Sequence, residues 1–589
     1  MGGSKQIIIS IKIIKAIAIA FLLLSISLLS AQSNNQIYLF NNNNLFIDLD
    51  NKGNISENEG KIGGQNGIEI LFCSGFFLSG YDDENHDGRL TITELWANAM
   101  MLSSRIEDYK SGVYEKNNSK AEKFYKIREI EEPFSDSWIR WIDAVNFGAG
   151  FYDGNKDGIY NPVDLNSDNK WDYNEDRPDN FLGTQAWCVY HDGVNKDLRR
   201  FSVYPKGIEI RQTVFAKSFT NQLNNILFVR YALLNTGIAA DTLHDLYFSV
   251  FSDPDIIDDN KNLIGCDTVY NLGYSYYPEG DTLPNEKYAA FGTVLLKGPT
   301  VKIPGVTYFD NNSDKIFDPD IDTPLDSAIN YKGYLGIDTV AGAVNLEMTS
   351  FNHGPSTINP WHDPTIAEHR KWQYGETMHG PIHISTWEFG NGAELGEDTV
   401  GINTKFMYSG NPVTGKGWLN TEPIDQRFLQ TTGTFNLVKD EPQEIFVAYI
   451  ASADTSFDQT IIQLKQTAEL AHKAYQRNFG IEPPPQSNIS APTVIKSYKL
   501  FQNYPNPFNP TTKIKFSIPG SEEMFGNTSQ VKLKVYDILG NEITTLVNEK
   551  KAPGNYEVEF DPVGLASGVY IYRLVTPEFS RSMKMLLMK

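Results

Sequence analysis

Short segments in which apolar and polar residues alternate recur along most of the chain. In the middle of the sequence, runs rich in β-branched and aromatic residues occupy positions 208–216, 226–234, 246–251 and 444–450. Alternation with a period of two places successive side chains on opposite faces of a strand, and turn residues separate the runs. This pattern predicts a β-sandwich body, with an inserted segment near residues 300–400.

One stretch has the period of a helix instead, and we predict an amphipathic helix over residues 459–479. Its apolar residues follow one another at three- and four-residue steps: Ile461, Leu464, Ala468, Ala471 and Tyr475. Three consecutive prolines come soon after the helix. Residues 481–495, which are rich in Pro, Ser and Asn, are therefore predicted to form a linker.

The last part of the chain, residues 496–589, has the densest alternation. Its short segments of period two are separated by turn pairs such as Gly540-Asn541 and Pro553-Gly554. Many short strands with regular turns are typical of a small Ig-like β-sandwich. The fold class predicted for the whole chain is therefore mainly β: a multidomain sandwich body with loop insertions, followed by a small sandwich.

Four sequence blocks within this last part occur in a characteristic order. Residues 498–514 read YKLFQNYPNPFNPTTKI, residues 535–540 read VYDILG, residues 565–574 read LASGVYIYRL, and residues 584–589 read KMLLMK. Together they resemble the type A C-terminal sorting domain of type IX secretion cargo. The resemblance implies recognition by the type IX machinery, export, removal of the domain and often attachment to the cell surface. The alternative is an ordinary structural Ig-like module.

The N-terminal residues agree with export. Lys5, Lys12 and Lys15 precede an uncharged run over residues 16–29, and small residues follow it. This order is typical of a signal peptide, which we place at residues 1–31 with cleavage after Ala31. No later segment resembles a transmembrane anchor. We therefore expect transport to the periplasm and then a secreted or outer-membrane cell-surface location.

Charge is distributed unevenly along the chain. The whole chain carries a formal charge of −22, but residues 496–589 hold 12 Lys and Arg against 9 Asp and Glu. The part between residues 32 and 495 holds 36 basic residues against 64 acidic ones. So acidic a body repels phosphate backbones, which argues against a nucleic-acid partner. The cysteines, Cys73, Cys188 and Cys266, are too few for a disulfide framework, although one bridge is compatible with an oxidising compartment.

Part of the acidity has the spacing of EF-hand calcium loops. Residues 83–94 match the twelve-residue pattern at each ligand position, and we predict calcium ligands from its positions 1, 3, 5, 7 and 12. These are Asp83, Asn85, Asp87, Arg89 through its carbonyl, and Glu94. The preceding residues 68–81 favour a strand, so the loop is expected to cap a β-hairpin rather than to join two helices. A solvated acidic turn is the alternative.

Two further loops follow each other directly within residues 153–175. The first predicted ligand set is Asp153, Asn155, Asp157, Ile159 through its carbonyl, and Asp164. The second set, which shares a residue with the first, is Asp164, Asn166, Asp168, Lys170 through its carbonyl, and Glu175. This arrangement resembles the calcium-filled repeats of thrombospondin type 3 and dockerin modules. A disordered acidic linker is the alternative, and the aromatic residues of the segment argue against it.

Three other acidic segments are weaker candidates. Residues 310–320 keep the early spacing but have Lys315 where Gly is preferred and lack a closing Glu. Asp253 and Asp255, followed by two more aspartates, have no loop spacing. Residues 48–53 place a lysine at a ligand position, so we interpret them as a simple turn.

Evidence for catalysis is limited. Five histidines lie within one stretch: His353, His362, His369, His379 and His383. Gly380 and Pro381 prevent the last two from sharing a helix face as zinc ligands do, so a zinc site is not favoured. The sequence contains no nucleophile elbow, P-loop or dinucleotide fingerprint. A pair of catalytic carboxylates would not be visible in so acidic a sequence.

Segments of the body also resemble a central region of other type IX cargo that has no assigned activity. They lie at residues 253–268, 404–418 and 427–448. We therefore divide the chain into a signal peptide (1–31), an N-terminal β-rich region with calcium loops (32–207), a sandwich body (208–480), a linker (481–495) and a sorting domain (496–589). The sequence favours a calcium-binding, non-catalytic secreted or surface protein, acting in adhesion, in binding of a surface glycan or protein ligand, or as a structural component. The alternative is a secreted hydrolase of polysaccharide or protein.

Overall fold

The computed structural model describes residues 36–588 with internal gaps, and the following concerns those residues. The gaps are 57–59, 84–89, 92–93, 99–101, 104–119, 195, 197–202, 220, 282, 284–285, 354–364, 378–379, 383–392, 396–401, 422, 482–497, 502, 504–505, 507, 519–528, 539, 552–553 and 578. The chain divides into two compact units, Met1–Pro484 and Pro485–Lys589, which we call the body and the sorting unit.

Most described residues of the body lie in antiparallel strands. Up to residue 253 these are β1 (Ile37–Phe40), β2 (Leu45–Asp50), β3 (Gly60–Ile62), β4 (Ile68–Leu71), β5 (Cys73–Tyr81), β6 (Leu95–Asn98), β7 (Leu102–Ser103), β8 (Tyr125–Ile127), β9 (Phe151–Tyr152), β10 (Arg177–Pro178), β11 (Thr184–His191), β12 (Ile208–Ala216), β13 (Ile226–Asn235) and β14 (Thr242–Asp253).

The remaining strands of the body include many very short ones. They are β15 (Leu263–Asp267), β16 (Leu272–Tyr276), β17 (Tyr288–Lys297), β18 (Thr300–Val301), β19 (Tyr308–Phe309), β20 (Thr323–Pro324), β21 (Ser327–Tyr331), β22 (Ile337–Ala341), β23 (Val344–Asn345), β24 (Ser350–His353), β25 (Glu376–Thr377), β26 (Gly380–Pro381), β27 (Ala393–Leu395), β28 (Trp418–Asn420), β29 (Phe428–Val438) and β30 (Gln443–Asp454).

The α-helices among the described residues are α1 (Asp136–Asn146), α2 (Ile366–Tyr374) and α3 (Phe457–Gln476). Short 3-10 turns occupy Gln222–Asn225, Asp259–Lys261, Gly333–Leu335 and Asn478–Gly480. No helix in the described part of the chain is long and apolar enough to cross a membrane.

Two large sheets face each other in the body and enclose its main core. One has the order β15-β16-β17-β30-β13-β12-β11-β7, with β8 also paired to β11. The other has the order β24-β29-β14-β5-β6. Alternate residues of both sheets, such as Val229, Tyr231 and Val447 from the first and Phe248 and Phe351 from the second, are buried in one cluster. The predicted sandwich body is confirmed.

Helices cover the outer face of the larger sheet. The buried stripe of α3 packs on Phe215, Phe228 and Phe446. Helix α1 packs separately, through Trp141, on Trp187. The α3 helix begins slightly before the predicted position and ends earlier, because Asn478 and Phe479 adopt left-handed backbone angles, with φ of 51° and 57°. The predicted apolar stripe of this helix is buried.

The segment between β17 and β29 contains mostly two-stranded ladders. These pair β18 with β23, β19 with β20, β21 with β22, β25 with β26, and β27 with β28. Such ladders provide little apolar burial of their own. They therefore serve chiefly to hold loops against the larger sheets.

The sorting unit is a second, smaller sandwich. Its strands are β31 (Lys499–Leu500), β32 (Thr512–Ile518), β33 (Ser529–Tyr536), β34 (Glu542–Lys551), β35 (Gly554–Phe560), β36 (Gly568–Val575) and β37 (Ser580–Leu587). They form sheets of order β31-β32-β35 and β34-β33-β36-β37. Apolar side chains that include Phe516, Leu533 and Tyr572 fill the space between them. The mainly β fold predicted from the sequence is confirmed in both units.

Candidate functional site

A short antiparallel ladder holds the base of the acidic segment 153–176. Strand β9 ends at Tyr152 and pairs with β10, which begins at Arg177. Everything between the two strands forms two consecutive loops, which we call the double loop. The sequence-predicted ligands Asp153, Asn155, Asp157 and Ile159 lie in its first half. Those from Asp164 to Glu175 lie in its second half.

In the first half, carboxylate and amide oxygens are bound by backbone N–H groups. The N–H of Asp157 donates to Oδ1 of Asp153 at 3.2 Å and to Oδ1 of Asn155 at 3.0 Å. The N–H of Gly158 donates to Oδ2 of Asp153 at 2.8 Å. These bonds turn the side chains at positions 1, 3 and 5 towards the inside of one tight turn.

The second half repeats this arrangement. The N–H of Asp168 donates to Oδ1 of Asp164 at 3.3 Å and to Oδ1 of Asn166 at 3.0 Å. The N–H of Asn169 donates to Oδ2 of Asp164 at 2.7 Å. Both halves also share a backbone feature, because positions 4 and 6 have positive φ. The values are 62° at Lys156, 76° at Gly158, 61° at Ser167 and 59° at Asn169.

The second half is closed by the predicted Glu175, whereas the first half is closed by Asp176 and not by the predicted Asp164. In the second half Glu175 accepts from the N–H of Leu165 at 2.6 Å and of Asp172 at 2.8 Å. These donors are positions 2 and 9 of that loop. In the first half the corresponding donors, Gly154 at 3.0 Å and Asn161 at 2.7 Å, bind Asp176. Asp164 thus opens the second half, while Asp176 closes the first.

Residues 310–322 form a third loop of the same design. The short ladder β19–β20 closes it, as β9–β10 closes the double loop. Position 6 is Lys315, with φ of 63°. The N–H groups of Asn311 and Asp318, again positions 2 and 9, donate to Asp322 at 2.9 and 2.8 Å. This closing carboxylate was not among the predicted ligands, because it lies one residue beyond the usual position.

Only part of the loop at 83–94 lies within the described residues. Asn85, Asp87 and Arg89 fall outside them. Strands β5 and β6 pair on either side of the loop, so it connects a β-hairpin, as predicted. Glu94 is buried and accepts from the N–H of Thr91 at 2.8 Å and from its hydroxyl at 2.7 Å. Thr91 is position 9, so this closing contact matches that of the other loops.

Acidic side chains crowd the double loop. Burial raises the pKa of Asp176 above its usual value, and the charges of Asp153 and Asp157 raise it further. A divalent cation at this point would reverse the effect by favouring the ionised form. All side-chain donors of the loops are oxygens, the ligand type that calcium prefers. The residues present therefore fit calcium.

Aromatic residues anchor the double loop to the rest of the body. Arg177 is buried, and its guanidinium carbon lies 3.3 Å from the ring centre of Tyr334 and 4.5 Å from that of Trp171. The rings of Trp171 and Tyr334 contact each other edge to face at 5.5 Å. Trp171 also donates its indole N–H to the carbonyl of Glu175 at 2.9 Å. The segment is ordered against a packed surface rather than being a free linker.

A separate acidic group involves Asp253, Asp255 and Asp425. One carboxylate oxygen of each lies within 4.8 Å of the others. Asp253 also forms an ion pair with Arg427 at 2.7 Å. Burial raises the pKa of Asp255 to about 8, with a further contribution from Asp253 and Asp425. Asp425, which was not among the predicted residues, joins this group through the pairing of Ile424 with Asn262.

The remaining candidates are dispersed. His362, His379 and His383 lie outside the described residues. His353 is buried in β24, and His369 is buried on α2 with its ring 4.9 Å from that of Phe77. Cys188 and Cys266 are buried thiols in different strands. The residues at 48–53 form the simple turn that we predicted, in which Asp50 accepts from the N–H of Lys52 at 2.9 Å.

In the sorting unit, the first and the last of the four sequence blocks are in contact. The N–H of Phe508 donates to the carbonyl of Leu586 at 3.0 Å, and the N–H of Met588 donates back to Phe508 at 3.0 Å. Asn506 accepts from the N–H of Leu586 at 2.8 Å. The Asn-Pro-rich block and the C-terminal strand therefore form one continuous edge.

Comparison with known proteins characterises the sorting unit and little else. No curated protein matches the chain. Among solved structures, a polysaccharide lyase is similar over 64% of this chain and 34% of its own, with 9% identity and a TM-score of 0.18. A bacterial glucoamylase complexed with acarbose is similar over 76% of this chain and 40% of its own, with 9% identity and a TM-score of 0.25. TM-scores this low do not establish a shared fold.

The family model described as the secretion system C-terminal sorting domain matches residues 502–588. This range contains the edge formed by Phe508 and Leu586, and it lies within the smaller sandwich. The match confirms the family that the four sequence blocks indicated for this unit. The chain is therefore cargo of the type IX secretion system, exported to the cell surface or secreted.

Proposed function

We propose that the body is a calcium-stabilised, non-catalytic module that acts outside the cell in adhesion, in ligand binding or as a structural component. The observation that carries the proposal is the common design of the loops. In the double loop and in the third loop, aspartates at positions 1 and 5 surround one turn, and a closing carboxylate binds positions 2 and 9.

The chemistry of these loops supports calcium over a purely structural hydrogen-bond network. Six to eight hard oxygen ligands suit calcium, and each loop offers aspartates, an amide and a peptide carbonyl. Without a cation, the acids of the double loop repel one another, which is consistent with the raised pKa of Asp176. Calcium therefore stabilises the loops by neutralising this charge.

The role of calcium in this proposal is structural rather than regulatory. Sensor EF-hands respond to calcium by changing the angle between two helices. The double loop and the third loop are bounded by two-residue β-ladders instead, and the loop at 83–94 by a hairpin. These loops therefore lack the pair of helices whose angle changes in a sensor. Calcium in the extracellular medium would therefore keep the sites filled.

A secreted hydrolase is the alternative, and one observation bears on it. Asp179 and Glu444 line the same cavity, but both are bound to the guanidinium of Arg230. A glycosidase holds its two carboxylates on opposite sides of the bond that it cleaves. Two carboxylates on one guanidinium are better suited to holding a ligand than to cleaving it.

Thermal unfolding tests the proposal. We expect a chelator to lower the melting temperature of the body and to open the region around Trp171 to protease. Asp176→Asn should reproduce part of this loss in the presence of calcium, whereas Asp136→Asn, at an exposed helix start, should not. An unfolding curve that is identical with and without chelator would refute the role of calcium. Release of products from polysaccharide or casein by the pure protein would support the hydrolase instead.

A further inference from the structure

A small cavity of about 180 Å³ lies on the outer face of the larger sheet. The register of the strands explains its position. Trp187, Thr213 and Arg230 lie side by side on β11, β12 and β13. Arg211, Ala232 and Glu444 form the next row with the same orientation. The cavity thus lies between the apolar cluster under α1 and the one under α3.

The floor of this cavity is charged although it is buried. Arg230 donates to Asp179 at 2.6 Å and also binds Glu444. The side chains of Arg230, Asp179 and Glu444 are only 11%, 3% and 15% exposed. A buried ion network of this kind is costly unless its remaining polar atoms are also satisfied. Oδ1 of Asp179 is buried without a hydrogen-bond partner among the described residues.

A second charged group faces the same space. Nε of Arg211 donates to Glu209 at 3.1 Å, whereas its terminal nitrogens have no hydrogen-bond partner among the described residues. Two glycines allow the backbone to pack closely against the side chains of this wall. A Cβ atom on Gly148 would lie 2.3 Å from the guanidinium carbon of Arg211, and one on Gly150 would lie 2.7 Å from Oδ2 of Asp179. The wall of the cavity therefore presents an unused acceptor and unused donors.

The charges and polar groups of the cavity indicate which class of ligand fits it. The guanidinium groups of Arg211 and Arg230 already lie against the carboxyl groups of Glu209, Asp179 and Glu444. A second anion is therefore not favoured. A hydroxyl group can donate to Asp179 and accept from Arg211, and the indoles of Trp141 and Trp187 offer apolar surface. We propose that this cavity binds one ring of a neutral saccharide.

The neighbouring space indicates that the ring belongs to a longer chain. A second cavity of about 640 Å³ adjoins the first, since Pro442 and Glu444 line both. Its other lining groups include the amides of Asn330 and Gln443, the hydroxyl of Thr300, and side chains of both charges, namely Lys297, Lys302, Lys332, Asp245, Asp338 and Glu441. Neutral amides and hydroxyls are suitable partners for sugar hydroxyls. The small cavity therefore takes a terminal ring, and the larger one takes the following rings.

The proposed saccharide site deepens the ligand-binding role proposed above and does not depend on calcium. One residue of the site nevertheless lies close to the double loop in the sequence. Asp179 follows β10 directly, and its N–H donates to the carbonyl of Gly150 at 3.1 Å. Measurements with calcium present throughout separate the two proposals, because failure of saccharide binding would then leave the calcium result unchanged.

Calorimetric titration of the mature full-length protein tests the site. The probes are tetrasaccharides of glucose, mannose, galactose and xylose, with tetragalacturonate as the anionic comparison. We expect at least one neutral probe to bind. Ala232→Met fills the cavity without changing its charge and should weaken binding by roughly tenfold or more. Ala239→Met, at an exposed loop position, is the matched control and should bind as the parent does.

Further variants keep the test independent of folding. Thr213→Val removes one hydroxyl group from the cavity wall at nearly constant volume, and it should weaken binding less than Ala232→Met does. The melting temperature of each variant shows whether it is folded. The proposal is overturned if no neutral probe binds at millimolar concentration, if only tetragalacturonate binds, or if a folded Ala232→Met protein binds as well as the parent.

Discussion

The sorting unit and the double loop are ordered by different interactions. The sorting unit buries apolar residues of two sheets against each other, including Phe516, Leu533 and Tyr572. The double loop instead has exposed aspartates whose oxygens bind backbone N–H groups, with aromatic packing only at its edge. Apolar burial does not depend on added ions, whereas clustered carboxylates repel one another and a bound cation would stabilise them. The two regions should therefore respond differently to the same treatment.

Deletion of residues 496–589 should have the largest effect in the cell and almost none on the body. Because the body has its own core, it should melt at the same temperature in the truncated protein. Without the sorting unit, however, the protein should remain in the periplasm. Cell fractionation and calorimetry measure the two outcomes. Secretion of the truncated protein at the parental level would contradict the role of this unit.

Removal of calcium should reverse the pattern, with a large effect on the body and none on the sorting unit. At a calcium concentration 100 times the dissociation constant, each filled site stabilises the body by about 2.7 kcal/mol. A chelator should therefore lower the melting transition of the body markedly. The isolated sorting unit is the control. An equal shift in both units would show that the chelator acts through something other than the loops.

Low pH should also affect the stability of the two regions differently, because the sorting unit contains no histidine. In the body, burial and the nearby charge of Arg427 together lower the pKa of His353 to about 4. The unfolded chain takes up this proton near pH 6.5, so stability is complete above that pH and is lost as the pH falls towards 4. The loss from this group is roughly 2 kcal/mol at pH 5.

The variant His353→Gln should flatten this part of the acid dependence of the body. His244→Gln, at a half-buried position on β14, is the matched control. Its acid dependence of stability should equal that of the parent protein. Denaturant titrations at pH 7 and pH 5 measure the difference. An unchanged dependence in His353→Gln would show that other groups account for the acid sensitivity.

The smallest expected effect concerns the backbone of the third loop. Lys315 adopts φ of 63°, a conformation that costs roughly 1 kcal/mol for a residue with a Cβ atom. Lys315→Gly should therefore stabilise the body by about that amount in calcium. Lys170→Gly, in the second half of the double loop, removes a similar charge at a position without positive φ and should not stabilise. Calorimetry of the two variants in calcium measures their stability relative to the parent protein.

Regular patterns in the sequence were informative about fold. Period-two runs located β12, β13, β14 and β30, and the steps from Ile461 to Tyr475 located α3. These predictions succeeded because each face of an element packs against one apolar surface. The loops were recognisable for a similar reason, since positions 1, 3 and 5 lie within a few residues of one another.

Features that depend on distant pairing were not predictable. Asp176 and Asp322 close their loops because short ladders place them near Asp153 and Asp310. The spacing of residues in the sequence does not predict this contact. The cavity proposed to bind a saccharide joins Trp141, Asp179, Arg211, Arg230 and Glu444, which come from separate segments. The available signal was the presence of arginines on strands β12 and β13, within otherwise apolar runs.

Direct titration of calcium into the chelated and dialysed mature protein tests the central claim most directly. We predict binding of more than one calcium ion per chain by calorimetry. Asp176→Asn should remove or weaken one of these sites, and Asp136→Asn should leave all of them. Absence of saturable binding at millimolar calcium, or binding that is identical in Asp176→Asn, would contradict the account.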